Sequence, residues 1–484
     1  MNSSLMILLL TITSFILGIV RDLMMAMHLG AGWQTDLFFF ALIIPTFFEN
    51  SIALSFRDAL IVYYQQLKEK IYKVAIISWS IVLVITLTLL FLTFFIMTKE
   101  LWLKLLASVW LVEHYNEVGS VFLLGIMTLP LLFWSYFQAA ICNIDKNFVL
   151  PMWRTVFFNI IGLAIFLIFD VTTELMLFSL IFGQLLHLIL LQVYLRKRII
   201  FSYGILKKYK PKSFLSIFFS LLVVSFTLQF NIAIERMFVS RIEHGALSHL
   251  TYAYRIVTVP FVIFSMSIFA IAYSSLSKLY ADSHIILFKE KINDIVLVSM
   301  VFLTPFSVFL FFSSTEVIKF LLFRGQFLLD DVEQTSFAMK GYALGLPLIM
   351  LSLVFSRIFL ILGYYRQLIG FMLFSSIVVI FLYMFSVQYG VLGVSVSTSL
   401  CSLMQVIMLG IYLVVKNYFT INKKDIFTVI IITASLVLFF KNTIWIGFFE
   451  LVYAGILSIL MVFLILFVVK DFYRVKKSLL RLFN

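Results

Sequence analysis

The chain has 484 residues, of which 63% are apolar and only 12% charged, with 56 phenylalanines and a mean hydropathy of +1.12. Soluble domains carry about a quarter charged residues, and surface-to-volume scaling leaves a soluble protein of this size no way to hide so much apolar surface. A soluble globular protein is therefore excluded. The net charge of +13 does not rescue a nucleic-acid reader, which needs its basic residues gathered on one water-facing surface.

Here the basic residues punctuate apolar runs of membrane-spanning length. A helix crosses the hydrocarbon core with about 20 mostly apolar residues. On that rule spans are predicted near 4–28, 36–60, 73–98, 119–143, 150–171, 174–195 and 214–240. Further spans follow near 247–276, 292–314, 334–363, 367–387, 390–416, 425–443 and 447–469. The expected fold class is an all-α polytopic membrane protein with about fourteen transmembrane helices. The first run does not read as a cleavable signal, because it lacks a basic leading region and Arg21-Asp22 interrupts it. Cys142 and Cys401 both fall inside predicted spans, where thiols act as small hydrophobes, and no disulfide framework is indicated.

Loop charge tests the threading independently. With the N-terminus inside, the inner segments collect Lys68 and Lys70, then Arg196-Lys197-Arg198 with Lys207, Lys208, Lys210 and Lys212. Lys423-Lys424 and the tail residues Arg474, Lys476, Lys477 and Arg481 follow. About 23 Lys/Arg fall inside against about 6 outside, the bias expected of cytoplasmic loops. An even number of spans with both termini cytoplasmic is predicted.

Residues 21–45 and 236–260 repeat one pattern. Each begins with an arginine (Arg21, Arg236), reaches Gly-Ala nine residues on (Gly30-Ala31, Gly245-Ala246) and ends on a proline (Pro45, Pro260). The offset spans an even number of crossings, so both copies share one orientation. This predicts two six-helix lobes, residues 1–205 and 206–420, related by a pseudo-two-fold axis along the membrane normal, with a substrate site between them. Residues 421–484 then supply two extra helices and a basic cytoplasmic tail.

Ionisable groups within spans are costly and usually face a polar cavity or a partner. Arg21 carries Gly18, Ser14 and Thr11 beneath it at helical spacing, which reads as a cavity-facing wall. Arg255 lies between Thr251 and Thr258 and is read the same way; for both arginines a structural ion pair or snorkelling is the competing reading. Asp22 points about 100° away from Arg21 and is expected to pair with another helix. Asp36 is either an exposed first-turn carboxylate or a functional acid. Asn50 and Arg57 share one face of span 2, flanked by Glu49, and Arg57 is expected to snorkel inward. Glu235 shares a face with Asn231 and is the more informative, since its short stem snorkels poorly. Arg154, Lys340 and Arg357 lie near span ends, where a structural role is expected. Arginines in such a cavity suit a phosphate or pyrophosphate headgroup on a lipid tail, because the guanidinium fork matches phosphate oxygens.

No Walker loop, HExxH, GxSxG or Cys/His metal spacing occurs, and the six histidines are scattered. The chain is expected not to be an enzyme and to need no cofactor or metal. Any driving force must come from ions, membrane potential or substrate gradients.

The run Leu17-Gly18-Ile19-Val20-Arg21-Asp22, then Leu29-Gly30-Ala31-Gly32, Thr35-Asp36-Leu37-Phe38-Phe39 and Ile44-Pro45 resembles the opening motif of the MurJ/MviN family of lipid II flippases. That family lies within the multidrug/oligosaccharidyl-lipid/polysaccharide exporter superfamily. Tyr252-Ala253-Tyr254-Arg255 with Pro260, and Phe323-Arg324-Gly325-Gln326-Phe327, are similar to two further family motifs. The resemblance implies alternating access, a cationic cavity taking a polyprenyl-pyrophosphate-linked glycan (lipid II, the peptidoglycan precursor), and residence in the bacterial inner membrane. It places Arg21 and Arg255 at two of the family's cavity arginines and Asp36 at its acidic residue. Asp22, Glu49, Asn50 and Glu235 are supporting candidates. The chain departs from the pattern with Ser14-Phe15 in place of Ser-Arg, Glu49-Asn50 in place of an arginine pair and Tyr254 in place of an acid. No Lys-Thr-Pro follows Tyr364-Tyr365-Arg366-Gln367, and span 11 holds no carboxylate. The partners expected are the bilayer and the lipid-linked glycan, with no nucleic acid, and the chain is expected to act as a monomer. An exporter of O-antigen, capsule or exopolysaccharide repeat units on a polyprenyl carrier, or a cation-coupled drug exporter, is the alternative within transport. A membrane-embedded glycosyl or acyl transferase would need a carboxylate or histidine cluster, which is not found. A non-transporting scaffold would tolerate loss of Arg21 and Arg255.

Overall fold

The computed structural model describes residues 3–106, 111–196, 198–204, 211–420, 422–441 and 448–468, together with Val475 and Ser478. Among them the secondary structure is helical, without strands. Among the described residues, helix occupies most of each predicted span. Eleven helical stretches among the described residues are long and apolar enough to cross a membrane, and the last, Tyr365–Val415, contains two helices. Of the basic residues used for the threading, Lys197, Lys207, Lys208, Lys210, Arg474, Lys476, Lys477 and Arg481 lie outside the described residues.

The chain packs as two compact units. The first comprises residues 1–248 and 324–327, the second 249–323 and 328–484. The packing units and the sequence repeat are thus different partitions of the chain. The first unit contains α1 (Ser3–Leu29), α2 (Trp33–Ala41), α3 (Ile43–Phe48), α4 (Leu54–Gln66), α5 (Lys70–Met97) and α6 (Lys99–Leu106). It continues with α7 (Leu111–Ile126), α8 (Thr128–Ile144), α9 (Val149–Ile168), α10 (Thr173–Leu195) and α11 (Lys212–Val239). Here α9 packs on α1 and α10, α8 on α4 and α10, and α11 on α4.

Span 2 is broken twice, and each break has a cause. Pro45 has no N–H and its ring crowds the carbonyl four residues back, so α2 stops at Ala41 and α3 restarts after Leu42. Gly125 of α7 approaches the Ala41 carbonyl so closely that a Cβ there would collide with it. A π-helical turn, Glu49–Ala53, then separates α3 from α4, with the Leu54 N–H donating to the Glu49 carbonyl. Such turns change which way the following residues face and recur at functional sites. The shared face expected for Asn50 and Arg57 is therefore corrected, because that expectation assumed an unbroken α-helix.

The repeated Gly-Ala pairs have matching backbones. Gly30 (φ +65°) ends α1, and Gly245 (φ +87°) precedes the helix starting at Ala246; both occupy the left-handed region that glycine enters without steric cost. Gly30 meets a second demand. A Cβ there would lie 2.6 Å from the Gln326 carbonyl oxygen, because the 324–327 segment lies against the end of α1 and Gln326 N–H donates to the Met27 carbonyl at 2.9 Å.

The second unit holds most of α12 (Ala246–Ala281), then α13 (Ile285–Phe312), α14 (Ser314–Leu322), α15 (Leu329–Ile361), α16 (Tyr365–Ser386), α17 (Gly390–Val415), α18 (Lys423–Lys441) and α19 (Phe448–Val468). Its tightest seam joins α15 and α17. Gly341 and Gly345, one turn apart, face Ser395 and Ser399, and Ser399 Oγ donates to the Gly341 carbonyl at 2.7 Å. Helices in lipid gain nothing from hiding apolar surface from each other, so small residues that admit close backbone contact hold such seams. Phe264, Phe288, Met350, Phe355, Phe359 and Leu409 fill the neighbouring core.

Substituting Gly345→Val is expected to force the α15–α17 seam apart, costing about 1–3 kcal/mol as overpacking does. Gly370→Ala on α16, where a Cβ meets nothing within 4 Å, is expected to be neutral or stabilising by about 0.5–1 kcal/mol. Thermal unfolding of the detergent-solubilised protein distinguishes them; equal midpoints for both variants would refute the seam's importance.

Candidate functional site

The candidate residues fall into separate groups. In the first unit, Arg21 of α1 is 4% exposed and Asp22 6%. Arg21 donates to Asp22 Oδ1 through Nε (3.2 Å) and Nη2 (2.8 Å), and to Asn159 Oδ1 of α9 through Nη1 at 3.1 Å. Its guanidinium lies 4.4 Å from the centre of the Phe158 ring. Asp22 was expected to pair with another helix sooner than with Arg21, and the pairing with Arg21 is formed. Neighbouring Cβ vectors diverge on a helix, but a three-carbon stem lets the guanidinium fold back onto the adjacent carboxylate.

In the half-buried stripe below Arg21, Gly18 and Ser14 meet α9. Gly18 lies beside Asn159, whose Nδ2 donates to the Ser14 carbonyl at 2.9 Å, and Thr11 Oγ1 donates to the Ile7 carbonyl in its own helix. Gly162 of α9 leaves room for the Arg21 stem, with a Cβ there only 3.1 Å from Arg21 Cδ.

Asp36 on α2 is fully buried, not the exposed first-turn carboxylate considered from sequence. It accepts hydrogen bonds from the Gly245 and Ser248 backbone N–H groups, each at 2.7 Å, and from Ser248 Oγ. These are the orphan donors at the start of α12, so Asp36 caps that helix from 209 residues away, as helix dipole and unpaired N–H groups favour.

A third group gathers around Tyr136 of α8. Arg154 of α9 forms an ion pair with Glu49 of the π-helical turn, and the Tyr136 hydroxyl donates to the same Glu49 oxygen at 2.9 Å. The guanidinium groups of Arg154 and Arg57 lie 5.3 and 5.8 Å from the Tyr136 ring centre. Arg57 also pairs with Asp58 at 2.8 Å. Arg154 thus has a defined counter-charge where sequence gave it only a position near a span end, and Arg57 packs on an aromatic ring where snorkelling was expected. Asn50, beside Glu49, is half-buried. Tyr136 was missed from sequence altogether. Arg154 could have been found as the cation that a carboxylate in span 2 requires, but no spacing links residues 105 positions apart.

Glu235 of α11 is buried in the first unit. In the second unit, Arg255 is half-buried on α12, with Thr251 buried one turn before it. Thr258 donates to the Tyr254 and Arg255 carbonyls, 2.8 and 3.1 Å away, so its hydroxyl is engaged within its own helix. No group of three or more His, Cys, Asp or Glu suited to a metal ion occurs among the described residues.

The chain as a whole is similar to known proteins. Residues 25–467 match the family model described as "Lipid II flippase MurJ". A probable lipid II flippase MurJ of Buchnera aphidicola (subsp. Acyrthosiphon pisum) is 27% identical over 463 residues, covering 89% of this chain and 87% of that protein. Its Thermotoga maritima counterpart is 25% identical over 359 residues, covering 72% and 71%. Among solved structures, a lipid II flippase MurJ in an inward closed conformation superposes with a TM-score of 0.79 at 22% identity, covering 97% of this chain and 99% of that one. An inward-facing multidrug resistance MATE family transporter of the MOP superfamily gives 0.65 at 12% identity, covering 83% and 94%. The fold is therefore that of these transporters, and with the family model matched over most of its length, this multi-pass membrane protein belongs to the lipid II flippase MurJ family.

Proposed function

We propose that the chain moves lipid II, a polyprenyl-pyrophosphate-linked glycan, from the inner to the outer leaflet of the bacterial cytoplasmic membrane by alternating access. The observation that carries this reading is the family match over residues 25–467, which takes in every charged residue of the candidate site except Arg21 and Asp22. The chemistry agrees with it. Guanidinium groups held among apolar helices suit an amphiphile whose head is anionic and whose tail is hydrocarbon. Arg21 and Arg255 are proposed as headgroup contacts, with Asp22, Asp36, Glu49, Asn50 and Glu235 in support. The multidrug transporters share the fold at 12% identity, a likeness that lends no weight to drug export, and nothing favours an exporter of O-antigen or capsule units. The same reading places both termini in the cytoplasm, treats the chain as a monomer that is not an enzyme, and draws its driving force from membrane potential or an ion gradient.

Arg255→Ala is expected to abolish growth of a flippase-depleted cell and to lower leaflet-specific lipid II translocation about 10- to 100-fold, the worth of a charge-assisted hydrogen bond. Arg21→Ala is expected to do the same, and Arg21→Lys, which keeps the charge beside Asp22, to retain more. Wild-type growth by both alanine variants at normal membrane levels would overturn the assignment.

The sealed Arg21–Asp22 pair carries its own prediction. Asp22→Ala leaves a buried guanidinium without its carboxylate and is expected to cost about 3–5 kcal/mol. A thermal midpoint unchanged from wild type would show that the pair is not structural.

A further inference from the structure

The segment that follows α10 in the first unit turns apolar and aromatic side chains outward. Ile200 and Phe201 each keep 51% of their accessible surface and Tyr203 keeps 66%. A loop that met only water would gain nothing from such exposure. The backbone is non-helical at residues 199–202, yet it is held in place. The Ser202 N–H donates to Ser78 Oγ of α5 at 3.0 Å, the Ile200 carbonyl lies 3.5 Å from the same oxygen, and Ser78 is fully buried. Arg198, at the start of the segment, forms an ion pair with Asp145 just past the end of α8.

Depth decides what these side chains meet. From Val74 to Met97 α5 carries no charge, so Lys70 and Lys73 are its last cations before the hydrocarbon. Ser78 lies five residues past Lys73, about 7.5 Å further along the helix axis. The backbone bonded to it therefore sits where headgroups give way to acyl chains, the level at which aromatic rings with a polar edge settle. At the start of α5, Ile71 and Tyr72 are exposed as well, at 54% and 42%. Ile71, seven residues before Ser78, shares its side of the helix. The charge around this patch has one dominant sign. Asp145 answers Arg198, which leaves Lys68, Lys70, Lys73 and Arg196 against Glu69 among the described residues of these segments.

We propose that residues 199–203, seated on Ser78, form an interfacial anchor for anionic phospholipids. Ile200, Phe201 and Tyr203 enter the boundary between headgroups and acyl chains, while Lys70, Lys73 and Arg196 take the lipid phosphates. Charge and depth together name this occupant. Phosphate oxygens accept from ammonium and guanidinium donors, and each basic group near an anionic surface adds attraction. The apolar contact alone would hold a zwitterionic lipid equally well, so the cations supply the preference. A soluble partner would have to reach below the headgroups to cover Phe201. Because α5 and the end of α10 both belong to the first unit, the anchor ties the edge of that unit to the membrane surface. The inference goes beyond transport and takes from the proposed orientation only which leaflet is met, the inner one.

The test places bimane, itself apolar and aromatic, on Phe201→Cys in the full-length protein in nanodiscs. Cys142 and Cys401 are buried, and the wild type treated with the same reagent supplies the background. Lipids brominated on the acyl chain quench bimane on contact. Brominated phosphatidylglycerol is expected to quench this label at a mole fraction at least about fivefold below that needed of brominated phosphatidylcholine, the worth of one basic group at an anionic surface. Adding Lys70→Gln, Lys73→Gln and Arg196→Gln together is expected to erase that preference and to leave quenching by the phosphatidylcholine unchanged. Thermal unfolding verifies the fold of this variant; if it fails to fold, Lys70→Gln with Arg196→Gln, both at exposed positions, decides. An unquenched label, as water or a soluble partner over the loop would give, overturns the proposal. So does equal quenching by the two lipids, or a preference undiminished in the folded variant. Nanodiscs present the same lipids in both leaflets, so these outcomes do not depend on the transport reading. Lipid II translocation, measured separately, tests that reading alone.

Discussion

A charge inside a bilayer has to be met within the protein, because the surrounding hydrocarbon offers neither hydrogen bonds nor dielectric relief. The side-chain geometry of the first unit follows from that constraint. Arg21 is answered by Asp22 and Asn159, Asp36 by the first amides of α12, and Glu49 by Arg154 and Tyr136. Each solution brings distant parts of the chain together. Asn159 ties α9 to α1 both through Arg21 and through the Ser14 carbonyl, and Asp36 fixes where α12 begins. At the buried Arg21–Asp22 pair and at Asp36, breaking one partner therefore costs more than a surface ion pair would, since the charge left behind has no water to turn to.

The same constraint governs the backbone. Proline and π-helical breaks in span 2 free carbonyls and redirect side chains, which is tolerable only because neighbouring helices come close enough to cover the break. Gly125 against the Ala41 carbonyl provides that cover at the first break. At the second, the π-helical turn brings Glu49 to Tyr136 and Arg154. On the α15–α17 seam, glycines and serines replace bulk with contact, and the Ser399 hydroxyl spends its proton on the facing backbone. Small residues in these helices thus mark where elements meet most closely.

Much of the fold was legible because its signals are local. Apolar runs of spanning length located every helix that fills a predicted span, and the repeated Arg, Gly-Ala and Pro pattern pointed to two glycines that share a left-handed backbone. The side-chain pairings were not legible, because they depend on reach and on which helices become neighbours. Helical geometry separated Arg21 from Asp22, but the long arginine stem joined them. The face shared by Asn50 and Arg57 assumed an α-helix, and a single π-helical turn removed it. Arg154 and Tyr136 carry no motif; what identifies them is the neighbouring carboxylate, which comes from span 2.

The exchange of charge at Glu49 has a further consequence. Where the family pattern places an arginine pair, this chain has Glu49-Asn50, which on its own would make this stretch of span 2 hostile to an anionic headgroup. Arg154 of α9 and the Tyr136 hydroxyl meet that carboxylate, so the charge it brings into span 2 is balanced from neighbouring helices. Substitution at one position of the motif thus changes which helices must meet to balance the charge it carries.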